Sequence, residues 1–210
     1  MRLYGASAVE RGANLDRVDV PLNDQVWLER QFKQAEAADG ASALQTLDRI
    51  VHWDTPAPGT LYDDLGDPIH EPHLVRGAGF NSDPEMYRTA IDGIADRTTA
   101  DGWRMSWLSY AETLYEYPLL LRYSGLNTGA RYTLRVTYAG EDYTLPLTLT
   151  ANGVVIHAAR TRAANPETVD FVLPPETTAS GALELQWQRP DGLGGSGRGR
   201  QVAEVWLISR

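Results

Sequence analysis

The sequence predicts a mainly β fold, an antiparallel sandwich preceded by an αα-hairpin. Three observations predict it. From Glu112 onward apolar residues alternate with polar ones at period two. Turn formers interrupt that alternation at short, regular intervals with no helical stretch between them. Before Pro56, by contrast, apolar residues recur at helical spacing. Strands that bury one face and are joined by short links pair antiparallel and stack in two layers.

Taken in order, residues 1–21 carry no period and contain Gly5, Gly12 and Pro21. Asn23 and Asp24 offer N-caps for a helix with Leu28, Phe32 and Ala35 on one face. Asp39 and Gly40 break it. A second helix aligns Ala43, Leu44, Leu47, Ile50 and Val51 before Asp54, Thr55 and Pro56 stop it. Two short helices cannot enclose a core, so these stripes dock on the rest of the chain or on a larger neighbour. Residues 1–58 are therefore expected as an extension and 59–210 as the sandwich. From 56 to 101 turn formers crowd together, with short strands expected near 60–65 and 73–76. A helical turn is expected over 84–91, after Ser82, Asp83, Pro84 and Glu85. One strand is then expected over 112–123. Tyr132, Leu134, Val136 and Tyr138 face one side of the next, and Leu145, Leu147 and Leu149 repeat the pattern. Asn152 and Gly153 turn the chain back into 154–158. Val169, Phe171 and Leu173, then Leu183, Leu185 and Trp187, then 202–208 complete the set.

Alternating these strands sends successive connections to opposite ends. The links at 140–142, 159–167 and 188–200 fall at one end, the open end, together with whatever precedes Glu112. Compact turns fall at the far end. Ligand loops gather at one end of such scaffolds. The open end would hold Trp103, Trp107 and Tyr110 for stacking. Arg160, Arg162, Arg189, Asp191, Arg198 and Arg200 would supply planar hydrogen-bond forks and a carboxylate. The alternative is that the two tryptophans anchor a segment onto the core and the arginines form a solvated rim.

Other chemistries find less support. The net charge of −9 argues against nucleic acid, whose binders need a basic face. Cysteine is absent, which excludes disulfides and thiol catalysis. No apolar run approaches the ~20 residues of a membrane span. Met1 to Gly5 shows no hydrophobic leader, so export would need a signal outside these residues. Gly-x-Ser-x-Gly and His-Glu-x-x-His are both missing. The Gly-rich stretch 192–199 has neither the Lys-Ser/Thr nor the following helix of a phosphate loop. His70, Glu71 and His73 lie in a Pro-flanked loop that fixes no common face for a metal. Asp63, Asp64 and Asp67 around a turn suit a hard cation, and a structural Ca²⁺ is the one cofactor the sequence brings forward; capping aspartates are the plainer reading. Glu112, Glu116, Asp142 and Asp191 leave open a small glycan-active enzyme, whose mark would be a carboxylate pair ~5–10 Å apart in a cleft.

Tyr132-Thr-Leu-Arg-Val-Thr-Tyr-Ala-Gly140 and Leu149-Thr-Ala-Asn-Gly-Val-Val-Ile156 resemble a galactose-binding-like jelly roll of the malectin-like, carbohydrate-binding-module type. So do Phe171-Val-Leu-Pro-Pro175, Gly181-Ala-Leu-Glu-Leu-Gln-Trp187 and Val202-Ala-Glu-Val-Trp-Leu207; together they span about the last 100 residues. Gly59-Thr-Leu-Tyr-Asp-Asp-Leu-Gly66 through Pro72-His-Leu-Val-Arg-Gly77 is similar to the C-terminal part of large bacterial polysaccharide-degradation proteins. The resemblance implies a non-catalytic sugar-binding domain, extracellular or periplasmic, accessory to a glycoside hydrolase or polysaccharide lyase. A structural domain that packs on a catalytic partner without binding sugar is the alternative. Fold alone does not choose between them.

Of the 19 cationic residues, Lys33 is the only lysine. Five of the nine arginines after Ala111 fall within the two long open-end connections, and the acidity falls mostly before Glu112. A uronate-containing glycan fits that placement.

Overall fold

A computed structural model describes residues 25–52, 56–65, 70–78, 84–88, 109–114, 116–140, 145–164, 166–192 and 201–210. The helical hairpin forms as expected: α1 spans Gln25–Ala37 and α2 spans Gly40–Val51, and the two pack on each other. Asp39 does more than end α1. Its carboxylate accepts from the backbone N–H groups of Ala41 and Ser42, both at 3.0 Å, and so caps α2. Those bonds favour the ionised form and hold the Asp39 pKa below its ordinary value.

Among the described residues ten strands follow: β1 Leu61–Asp64, β2 Glu85–Arg88, β3 Ser109–Glu112, β4 Leu119–Ser124, β5 Tyr132–Tyr138, β6 Leu147–Ala151, β7 Val154–Arg160, β8 Glu167–Val172, β9 Ala182–Gln188 and β10 Val202–Ser209. They form two antiparallel sheets. One runs β2-β3-β10-β5-β8, with β1 also on β10; the other runs β4-β9-β6-β7. This is the mainly β sandwich that the alternating pattern predicts.

Three details differ from expectation. The strand expected near 73–76 is only a single bridge, Leu74 opposite Leu121. The stretch over 84–91 contains a strand and not a helical turn, because Glu85 to Arg88 pair with Glu112 to Ser109 of β3. A start signal read locally was overridden by a sheet edge. The stretch over 112–123 is two strands in different sheets, joined by a crossing at 113–118. Pro118 has no N–H to donate and stands where β3 has ended and β4 has not begun.

The core fills the space between the sheets. Leu134, Val136, Val205 and Leu207 from one sheet meet Leu121, Leu149, Leu185 and Trp187 from the other. A register shift between Val202 and Glu204 lets Val202 turn into this core while Glu204, itself buried, accepts from the Tyr62 hydroxyl at 2.7 Å on the other face. On the outer face of the first sheet the registers align Asp170, Arg135, Trp206 and Tyr62 in one row across four strands. Arg135 grips Asp170 with two bonds of 2.6 and 2.8 Å, and the rings of Trp206 and Tyr62 lie 4.0 Å apart. The Arg135 fork holds the Asp170 pKa below its ordinary value, and Asp170 raises that of Arg135.

Candidate functional site

Strand register decides which loops meet. Tyr138 pairs with both Val202 and Glu167, and Val202 also with Ala111. In the facing sheet Trp187 pairs with Leu119 and Leu149, and Leu147 with Arg160. The two sheets are tied at this level by the Trp187 indole N–H, which donates to the Tyr138 hydroxyl at 3.0 Å. The connections 113–118, 139–146, 161–166 and 189–201 therefore all leave from one end. That end is the open end inferred from strand alternation.

The described side chains there are held in pairs. Arg160 donates to Glu167 at 2.5 Å, with the side chains 28% and 13% exposed. Arg162 donates to the carbonyl of Gly140 at 3.0 Å. Gln201 donates to Glu112 at 3.0 Å, both buried. Gly140 makes this packing possible. Its φ of +110° is a conformation L side chains rarely adopt, and a Cβ would stand 2.3 Å from the Gln201 amide oxygen. Arg189 is buried and reaches Glu116 at 3.5 Å, while Asp191 is exposed. Chemically this is a rim of guanidinium donors and carboxylate acceptors, suited to a ligand rich in hydroxyls or carrying a carboxylate.

Of the residues expected to bind ligand, Arg160, Arg162, Arg189 and Asp191 lie at this end. Trp103, Trp107, Arg198 and Arg200 lie outside the described residues. Tyr110 is 1% exposed, buried with Ala139 and Ala203, so its ring faces the protein and presents no open face for stacking. Sequence reasoning missed Gly140, Glu167 and Gln201. The only signal was their position beside loop arginines.

Two of the expected metal residues, Asp63 and Asp64, lie on β1. Asp63 is buried, and its carboxylate accepts from the His73 backbone N–H at 3.0 Å and the Tyr123 hydroxyl at 2.9 Å. The His73 ring Nδ1 stands 2.9 Å from the same carboxylate and the ring stacks on Tyr123. Burial first, then the Asp63 charge, pushes the Tyr123 pKa up. Asp64 is also buried, and Asp67 lies outside the described residues. Among the described residues no three potential ligands converge on a metal position.

No family model matches the chain, and no curated protein matches it significantly. Among solved structures, it is similar to a family 35 carbohydrate binding module from Clostridium thermocellum. That match has 14% identity and a TM-score of 0.35, and covers 65% of this chain and 97% of the module. It is also similar to tandem CBM51 modules of a family 98 glycoside hydrolase from Streptococcus pneumoniae. Here too the identity is 14% and the TM-score 0.35, covering 73% of this chain and 46% of the other.

Proposed function

We propose that this chain is a non-catalytic carbohydrate-binding module that takes a glycan at the open end of the sandwich. One observation carries the reading: four strand connections converge on one end, and partly exposed Arg160 and Arg162 lie there against a carboxylate and a carbonyl. Sugars are recognised by such planar donor and acceptor groups beside aromatic faces. Trp103 and Trp107 would supply the stacking, and Arg160, Arg162, Arg189, Asp191, Arg198 and Arg200 the polar contacts. Residues 59–210 are the binding unit in this reading and 1–58 an extension. The module would serve a glycoside hydrolase or polysaccharide lyase outside the cytoplasm. Among the described residues no helix is long and apolar enough to cross a membrane.

Isothermal titration against neutral and uronate-containing polysaccharides tests it. Binding is expected for at least one, weakened about tenfold by Arg160→Ala and further by Trp103→Ala with Trp107→Ala. A chain that binds none of them sinks the reading.

A second reading has its own observation. Phe32, Leu44, Leu47 and Val51 of the hairpin are 44%, 69%, 38% and 69% exposed. These apolar side chains suit packing on a catalytic partner. This structural reading expects a chain that binds no glycan and co-purifies with the parent enzyme's catalytic domain until Phe32→Ser with Leu44→Ser abolishes the co-purification. Unchanged co-purification of that variant removes it.

A further inference from the structure

Three side chains form a hydrogen-bonded chain beneath the open end, and their chemistry fixes where each proton sits. The Trp187 indole can only donate, and it donates to the Tyr138 oxygen at 3.0 Å. Tyr138 is fully buried, and His157 Nε2 lies 2.9 Å from the same hydroxyl. Tyr138 must place its single proton on an acceptor. Among the described residues that acceptor is His157 Nε2, so the ring is neutral, with its own proton on Nδ1. The opposite assignment would bury an O–H with nowhere to donate.

This chain joins three elements that otherwise make no common ladder. Trp187 is on β9, Tyr138 on β5, and His157 on β7, the outermost strand of its sheet. The His157 ring also lies 5.2 Å from that of Phe171 on β8, so it closes the side of the sandwich where β7 and β8 face each other. We propose that His157 is an acid-sensitive latch between the sheets, shut while its ring accepts the Tyr138 proton and opened when the ring takes up a proton of its own. A protonated Nε2 becomes a donor facing a hydroxyl that already accepts from Trp187. The Tyr138 oxygen then accepts from both Trp187 and His157, its own proton is buried without an acceptor among the described residues, and the contact that pins β7 to β5 is weakened.

The surroundings are arranged to keep the latch shut at neutral pH. Burial lowers the His157 pKa from 6.5 to about 4, and the nearby Arg160 cation on β7 adds to this. Glu167 on β8 and the Leu147 backbone on β6 act the other way. The Leu147 backbone falls outside full hydrogen-bonding geometry, so Nδ1 is buried without a complete bond. Tyr138 itself is pushed up by burial and offers no charge at working pH, and Arg162 also faces it. Arg160 and Glu167, the pair that flanks His157, are the same two residues that line the open end. Opening the latch therefore disturbs the proposed glycan site, and in this respect alone the inference rests on that reading.

The unfolded chain binds a proton on this histidine at about pH 6.5 and the folded chain only near pH 4. The stabilisation is thus complete above 6.5 and is lost as pH falls through that window. In the intact chain, NMR titration of the His157 ring is expected to show a midpoint below pH 5 and a neutral tautomer protonated on Nδ1. A midpoint near 6.5, or a proton on Nε2, overturns the latch. Thermal unfolding gives a second measure. The wild type should lose melting temperature between pH 6.5 and 4 more steeply than His157→Gln, whose amide oxygen accepts from Tyr138 without titrating; equal slopes overturn it. Tryptophan-fluorescence titration with galactomannan, a neutral polymer, reads the coupling to the site. At pH 3.5 about three quarters of the latches are open, so the wild type should lose about fourfold more affinity relative to pH 7 than His157→Gln. Equal losses overturn the coupling. If galactomannan does not bind at pH 7 the same comparison is made with polygalacturonate; binding of neither counts against that binding reading, while the first two measurements still decide the latch.

Discussion

At the far end of the sandwich the turns are closed by backbone and amide groups, with the exposed Arg122–Glu184 ion pair beside them. Asn152 sits at a φ of 47°, and its amide donates to the carbonyls of Thr177 and Ala182 at 2.7 and 2.9 Å while accepting from the Glu184 N–H at 2.8 Å. The Tyr132 hydroxyl accepts from the Asn127 N–H, and Arg131 and Arg210 exchange both backbone bonds. At the open end the corresponding positions are filled by arginines, glutamates and a glutamine. A neutral side chain that satisfies three backbone groups has nothing left to offer a ligand. A partly exposed guanidinium paired with a carboxylate can exchange part of its bonding for a sugar hydroxyl at little cost. That difference is what the proposed glycan site at the open end predicts.

Substitutions can break or sharpen that contrast. The largest effect is expected for Gly140→Ala, which forces a disfavoured φ and a clash with Gln201; about 3 kcal/mol of unfolding free energy should be lost, measured by urea denaturation. Asn152→Ala should cost about 2 kcal/mol by the same measure, since three bonds and a left-handed residue go together, with glycan binding unchanged. Asn152→Gly, which keeps the backbone freedom, separates the two contributions. Arg160→Ala should cost below about 1 kcal/mol in stability while weakening binding, the reverse of Asn152→Ala. Should Asn152→Ala depress affinity more than Arg160→Ala, the assignment of the two ends is reversed. Arg135→Ala, on the outer face, should cost about 0.5 kcal/mol and leave binding untouched.

The sandwich was legible because half-buried strands alternate, and Tyr132 to Tyr138 or Leu183 to Trp187 do so without interruption. The end at which each loop emerges followed from counting strands. Local signals failed where the partner decides the conformation. Glu85 to Arg88 carries a helix-start pattern yet pairs with β3. An aromatic such as Tyr110 at a strand end serves core or ligand equally well, and its burial depends on small neighbours, Ala139 and Ala203, that lie far away in sequence. Arg160 and Arg162 stood out as loop cations, but Glu167, Gln201 and His157 did not. Their roles come from register and from the count of donors and acceptors around one hydroxyl, neither of which a single sequence displays.

β10 is the last of the described strands and yet the central one of its sheet. It pairs with β5 along one edge and with β1 and β3 in succession along the other. During synthesis β4, β6, β7 and β9 can assemble their sheet as soon as Gln188 emerges, whereas β1, β3 and β5 wait without a common neighbour until residues 202–209 are made. The nascent chain therefore passes through a stage with one layer formed and its apolar face bare, and a ribosome stalled within 189–201 would hold the protein at its most aggregation-prone moment.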